Sequence, residues 1–175
     1  MGAPAAARPL AKAVAALTLG VGLVALAGCA GSTGSAHRTP PSRALSGSPA
    51  RLADPGGYAG QLIRETDTVR DVRRLTRLSL SSCATSAALR RASELVGKTE
   101  LVHAPLAGVI GTCAPATTAA ENLSRAAASP AAVVGAWMRS PGHRSNLLDP
   151  ALTQIGVGCV VDRGTMLCSQ IFLGP

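Results

Sequence analysis

The chain has 175 residues, enough for one ordinary domain but not for two. Its rings are one Tyr, one Trp and one Phe, so any core has to be Ala, Val, Leu and Ile, which bury less area per residue and benefit from covalent staples. The formal charge of +8 suits anionic surfaces such as lipid head groups or cell-wall phosphates, or simply a solvated arginine-rich face.

Residues 1–28 read as an export segment. Arg8 and Lys12 precede an apolar run, Ala13 to Leu26, that is too short to span a membrane comfortably. The run ends in Leu26-Ala27-Gly28-Cys29, which resembles the lipobox of bacterial lipoproteins, where the Cys is acylated and becomes the mature N-terminus. An ordinary secretory signal with an incidental Cys is the alternative. Removing residues 1–28 takes away Arg8 and Lys12 and lowers the charge from +8 to +6. Residues 29–57 then form the lipidated Cys and a Gly-, Ser-, Pro- and Ala-rich tether that includes His37 and ends in the turn signals of Asp54-Pro55-Gly56-Gly57.

A globular domain is expected over residues 58–175. Leu62, Thr66, Val69 and Val72 recur at helical spacing and predict a helix from Tyr58 to about Leu75, with Arg64, Arg70, Arg73 and Arg74 on its polar face. A second helix is predicted from Ala84 to Val96, stopped by Gly97, and Thr99 to His103 leads into an irregular segment containing Pro105, Gly108, Gly111 and Pro115. Ala120 to Leu123 reads as a turn that presents Glu121. Ser129-Pro130 opens a third helix with Val133, Val134, Trp137 and Met138 on one face. Ser140-Pro141-Gly142 ends it and opens a single helical turn carrying His143 and Asn146. Ile155 to Val161 and Met166 to Phe172 are strands joined at Asp162-Arg163-Gly164-Thr165.

With Cys29 assigned to the lipid, four cysteines remain and allow three pairings. A two-residue Arg163-Gly164 loop puts Cys159 directly opposite Cys168, in the closer, non-hydrogen-bonded type of strand pair. That leaves Cys83 with Cys113, and export favours both disulfides. A zinc site is the alternative, against which stands the absence of any Cys-x-x-Cys spacing.

Ala120-Glu121-Asn122-Leu123, then Trp137-Met138 and Ser140-Pro141-Gly142-His143-Arg144 with Asn146-Leu147-Leu148, then Ile155-Gly156-Val157-Gly158 and Gln170 with Phe172, resemble the bacterial branch of the CAP (SCP-like) family, which includes cysteine-rich secretory and plant pathogenesis-related proteins. Asp67-x-x-Arg70 stands where the family has Asn-x-x-Arg, and His103 stands at its first histidine. The similarity runs from about Tyr58 to Gly174. It implies an α+β fold, a three-layer α-β-α sandwich around a small antiparallel sheet. It also implies a cleft where His103, Glu121 and His143 meet, with Asn146 and Arg144 beside them, and a divalent cation (Zn, Mg or Ca) held there by His103, Glu121 and His143. Leu167 replaces a further family histidine, and Arg139 and Ser140 occupy the region of a second glutamate.

Each of these residues also has a plainer reading. His103 fits a hydrogen-bonded histidine beside a loop, Glu121 a partner of loop amides or of Arg125, and His143 a cap of local structure. Asn146 suits backbone bonding, Arg144 an anion contact, and Trp137 the core. Two functions follow. One is a non-catalytic envelope module, tethered to the membrane through Cys29, that binds a lipid, glycan or protein in the cleft. The other is a metal-dependent hydrolase using His103, Glu121 and His143. No Gly-x-Ser-x-Gly occurs, which argues against a covalent hydrolase. Export and the lack of aromatic platforms argue against nucleic acid.

Overall fold

The computed structural model describes residues 54–175, so the export segment, Cys29, His37 and the tether as far as residue 53 lie outside the described residues. Helix α1 (Pro55–Val72) begins three residues before the predicted start. The Asp54 side chain accepts from the Gly57 amide at 2.9 Å, and Pro55 takes the first helical position. Asp54-Pro55-Gly56-Gly57 is therefore a capped helix start rather than the end of a tether.

The inner face of α1 also differs from its hydrophobic spacing. Tyr58, Ala59, Leu62, Thr66 and Arg70 are buried, whereas Val72 is 75% exposed. Arg70 is thus on the inner face and not the polar one, because its guanidinium finds carbonyl acceptors there. It donates to the Thr76, Leu147, Asp149 and Leu152 carbonyls at 2.8–3.3 Å. Asp67, one turn earlier, accepts from the Leu78 amide at 3.2 Å. The Asp67-x-x-Arg70 pair fastens the chain that leaves α1.

The sheet has β1 (Ser79–Leu80), β2 (Thr118–Ala126), β3 (Gln154–Asp162) and β4 (Thr165–Gly174), in the order β1-β3-β4-β2. β1 runs parallel to β3, and the other pairs are antiparallel. Helices α1, α4 (Pro130–Arg139) and α5 (Pro141–Leu148) lie on one side, and α2 (Ser82–Glu94) and α3 (Ala107–Thr112) on the other. This is the expected α-β-α sandwich. The segment read as irregular holds α3, and the strands at the two ends of the order, β1 with two residues and β2 with nine, have no counterpart in the expected elements. A two-residue strand and an Ala-Glu-Asn-rich one carry no apolar alternation to mark them.

The C-terminal hairpin follows the predicted register, with Asp162 opposite Thr165 and Cys159 opposite Cys168. Arg163 and Gly164 have φ of 50° and 74°, the left-handed pair that a two-residue turn between twisted strands requires. Disulfides join Cys159 to Cys168, with Cα atoms 4.2 Å apart, and Cys83 to Cys113, with Cα atoms 5.6 Å apart.

The ring-poor core closes by small residues. A Cβ added at Gly156 would land on the backbone of Ala84 and Thr85, and one at Gly158 on that of Ala88 and Leu89. α2 meets these glycines with its own buried Ala84, Ala87, Ala88 and Ala92, so helix and sheet approach more closely than larger side chains would allow. On the opposite face Trp137 is 3% exposed and donates from Nε1 to the Leu123 carbonyl at 3.0 Å. It is the core anchor expected of the one tryptophan. Among the described residues no helix is long and apolar enough to cross a membrane.

Candidate functional site

Glu121 lies within β2, not in a turn. Strand alternation points it to the α2 side of the sheet, while Asn122 faces α1 and α5. The Glu121 side chain is only 1% exposed, so its carboxylate needs partners. Oε1 accepts from Ser169 Oγ at 2.8 Å and lies 3.4 Å from Arg91 Nε; Oε2 is 2.8 Å from His103 Nδ1. Arg125, the alternative partner, pairs with Asp162 at 3.1 Å instead. An ionised carboxylate only accepts, so His103 Nδ1 carries the shared proton and Nε2 is left as the free ring nitrogen.

His103 sits in the extended segment between α2 and α3 and is about half exposed, with a side-chain exposure of 55%. His143 comes from α5, two turns long rather than one, which starts at Pro141 directly after α4. Its ring lies 6.4 Å from that of Trp137, tilted by 45°. Asn146, one turn on, donates to the Glu121 carbonyl at 3.2 Å and to Asn122 Oδ1 at 3.0 Å, the backbone bonding expected of it. Arg144 is exposed and does not line the cleft, because α5 turns it outward.

His103, Glu121, His143 and Asn146 do come together. With Leu106 and Ser140 they line a cleft of about 480 Å³. Whether these side chains suit a divalent cation is decided by Glu121. Both of its oxygens are engaged, by Ser169 and Arg91 on one side and His103 on the other. It stands behind His103 as an orienting group instead of beside it as a third donor. Among the described residues no three His, Cys, Asp or Glu side chains converge as a metal ion requires. The arrangement therefore does not fit the three-donor centre implied by the resemblance.

Several polar side chains of the site have no separate sequence signature. Asn122 donates to Gln170 Oε1 at 3.1 Å, and Gln170 donates to Thr66 Oγ1 at 2.9 Å. With Asn146 they form a buried chain of amides from α5 through β2 and β4 to α1. Asn122 and Gln170 were visible only as polar residues in family motifs. Ser169 and Arg91 gave no signal, since contact with Glu121 needs the β2–β4 register and the packing of α2.

His143 has its pKa lowered, first by burial and then by the charge of His103. A lowered value means that the unfolded chain binds this proton more tightly. His143 thus leaves stability intact above about pH 6.5 and reduces it as pH falls through the folded value. In a ¹H–¹⁵N titration the His143 midpoint is expected below about 6.5, and it should rise in His103→Gln, which removes the neighbouring charge. An unchanged midpoint in that variant would show that the two imidazoles do not sense each other.

Comparison with known proteins agrees with this architecture. The sequence model of the cysteine-rich secretory protein family, CAP, matches residues 63–172. YkwD of Bacillus subtilis (strain 168) is 47% identical over 57 residues, 33% of this chain and 21% of that protein. An extracellular protein containing an SCP domain from Bacillus anthracis str. Ames superposes with a TM-score of 0.63 at 22% identity, over 73% of this chain and 44% of that one. An outer surface protein from Borrelia burgdorferi superposes with a TM-score of 0.60 at 19% identity, over 69% of this chain and 95% of that one. This chain thus spans only about a fifth of YkwD and less than half of the Bacillus anthracis protein. The family match takes in both cleft histidines, Glu121 and most of the sheet: the chain belongs to the cysteine-rich secretory protein (CAP) family.

Proposed function

We propose that this chain is an extracytoplasmic binding module, held at the outer face of a cell membrane by acylated Cys29, and that the His103–Glu121–His143 cleft takes the polar part of an envelope component: a lipid head group, a glycan or a protein segment. The observation that carries this reading is the state of Glu121. Its carboxylate is buried and already bonded to Ser169 and His103, which suits a fixed recognition surface. The cleft offers two imidazoles and the Asn146 amide among small residues such as Ala119, Ala120 and Gly142. The hydrolytic alternative gains no support, because a general base or third ligand needs a carboxylate oxygen open to the cleft. The fold shared with an extracellular protein and an outer surface protein accords with a place outside the cytoplasm.

The test is a ¹H–¹⁵N imidazole titration of the full chain carrying Cys29→Ser, with anionic lipid vesicles, soluble cell-wall glycan fragments and solubilised envelope proteins as probes. One probe is expected to shift both His103 and His143 and to stop binding a His103→Ala, His143→Ala variant. If no probe moves either ring, the cleft reading fails. The anchor is checked separately: Cys29→Ser should release the chain into the soluble fraction, and a variant that still sediments with membranes refutes the lipid attachment.

A further inference from the structure

We propose that Arg91 is a positioning residue: from helix α2 it holds the His103 segment in place over Glu121 and so sets the width of the cleft. The proposal rests on the reading of that cleft as a binding site. Arg91 is largely buried, with 14% of its side chain exposed, and its guanidinium faces three groups. Nη2 donates to the Val102 carbonyl, Nε lies 3.4 Å from Glu121 Oε1, and Nη1 is 3.5 Å from Glu94 Oε2. Val102 immediately precedes His103, and Glu121 is the residue that His103 bonds. One side chain therefore touches both ends of the contact that orients His103.

Little else fixes that segment. Residues 101–105 belong to no helix or strand. Among the described residues, the hydrogen bonds joining residues 100–105 to the rest of the domain are Arg91 to the Val102 carbonyl and His103 to Glu121. Leu101 adds an apolar contact with the cluster of Leu95, Leu123 and Leu167. The segment also shapes the space around it. Its residues line the cleft of about 480 Å³, a cavity of about 270 Å³ that Arg90 and Arg91 border, and a third of about 520 Å³ that takes in Val102 and His103. Ala104 lines all three. A segment held by two side-chain bonds moves when one is removed, and its movement changes the width of the cleft.

A fixed guanidinium is suited to this task. Its planar fork can meet a carbonyl and a carboxylate together, whereas a lysine ammonium is a single point charge on a flexible stem. It also balances the buried Glu121 carboxylate; leaving that charge without a cation would be costly.

The test uses the full chain carrying Cys29→Ser, compared with Arg91→Met and Arg91→Lys in the same background and with no ligand present. The readouts are the His103 Nδ1–H resonance, the ¹⁵N order parameters of residues 101–105, and those of β3 and β4 as a control. Arg91→Met is expected to lose the hydrogen-bonded imidazole resonance. Its segment order parameters should drop from about 0.85 to below about 0.6, with β3 and β4 unchanged. Arg91→Lys should restore the resonance in part. If Arg91→Met keeps the resonance and a rigid segment, the proposal is wrong. If Arg91→Met fails to fold, Arg91→Lys decides alone: native resonance and order in that variant overturn the requirement for a guanidinium fork, and a weakening of both, partial or complete, supports it. Because no ligand is added, failure here is separate from failure of the probe titration, which tests the cleft itself.

Discussion

Replacing Arg70 by methionine is expected to lower the stability of the domain by about 3–5 kcal/mol, since several buried carbonyls lose a charged donor at about 1–3 kcal/mol each. Arg70 is 1% exposed, and burial lowers its pKa although Asp67 and Asp149 act in the opposite sense. Its hydrogen bonds reach four backbone carbonyls, those of Thr76, Leu147, Asp149 and Leu152. Methionine fills much of the volume but donates nothing, so these acceptors lose their partner inside the protein. The thermal midpoint should fall by about 10 °C or more for a domain of this size, and guanidinium unfolding of wild type and Arg70→Met measures the difference directly. A loss below about 1 kcal/mol would mean that water satisfies the carbonyls. The effect should reach the cleft as well. Leu147 and Asp149 lie at the end of α5, the helix that carries His143 and Asn146.

On the opposite wall of the cleft, a Cys83→Ala, Cys113→Ala variant is expected to lose about 3–4 kcal/mol, the chain-entropy value for a closed loop of this length. The bond spans 30 residues and ties the first turn of α2 to the end of α3. Everything between those points, His103 included, belongs to the closed loop. The Cys159–Cys168 bond spans 9 residues across a hairpin already held by its ladder, and its loop term is smaller, about 2.5–3 kcal/mol. Urea unfolding of the two double-alanine variants should place Cys83–Cys113 as the larger loss. The reverse order would show that cross-strand packing, rather than loop closure, governs these bonds.

These two expectations share a geometry. The cleft lies at the outer edge of β2, between α5, fastened by Arg70, and the α2–α3 connection, fastened by the disulfide and by Arg91. The buried amides of Asn146, Asn122 and Gln170 and the Thr66 hydroxyl cross the sheet between the cleft and α1. A fully bonded polar chain of this kind fixes the register of the elements it joins. A change at Thr66 or Gln170 would thus reach Asn146 without touching the cleft lining.

The sequence alone determined the hairpin register and both disulfides, because a two-residue turn leaves one alignment and four cysteines then leave one partner each. It determined the start of α4, where Ser129 and Pro130 form a local cap, and through its motifs it brought His103, Glu121, His143 and Asn146 to one site. Only the tertiary structure decided that Arg70 is inside and Val72 outside: four carbonyls, one just after α1 and three at the end of α5 and beyond it, outweigh the local helical period. It likewise decided that Glu121 lies on a strand, since β2 is defined by its ladder to β4 and not by apolar alternation of its own. The same ladder sets Ser169 against Glu121, and the packing of α2 brings Arg91 to it. These contacts make Glu121, a candidate metal ligand by its motif, the group that orients His103. Capping, turn geometry and cysteine count are local and can be read from neighbours in the chain. Buried charge compensation depends on groups that meet only once the sheet has formed.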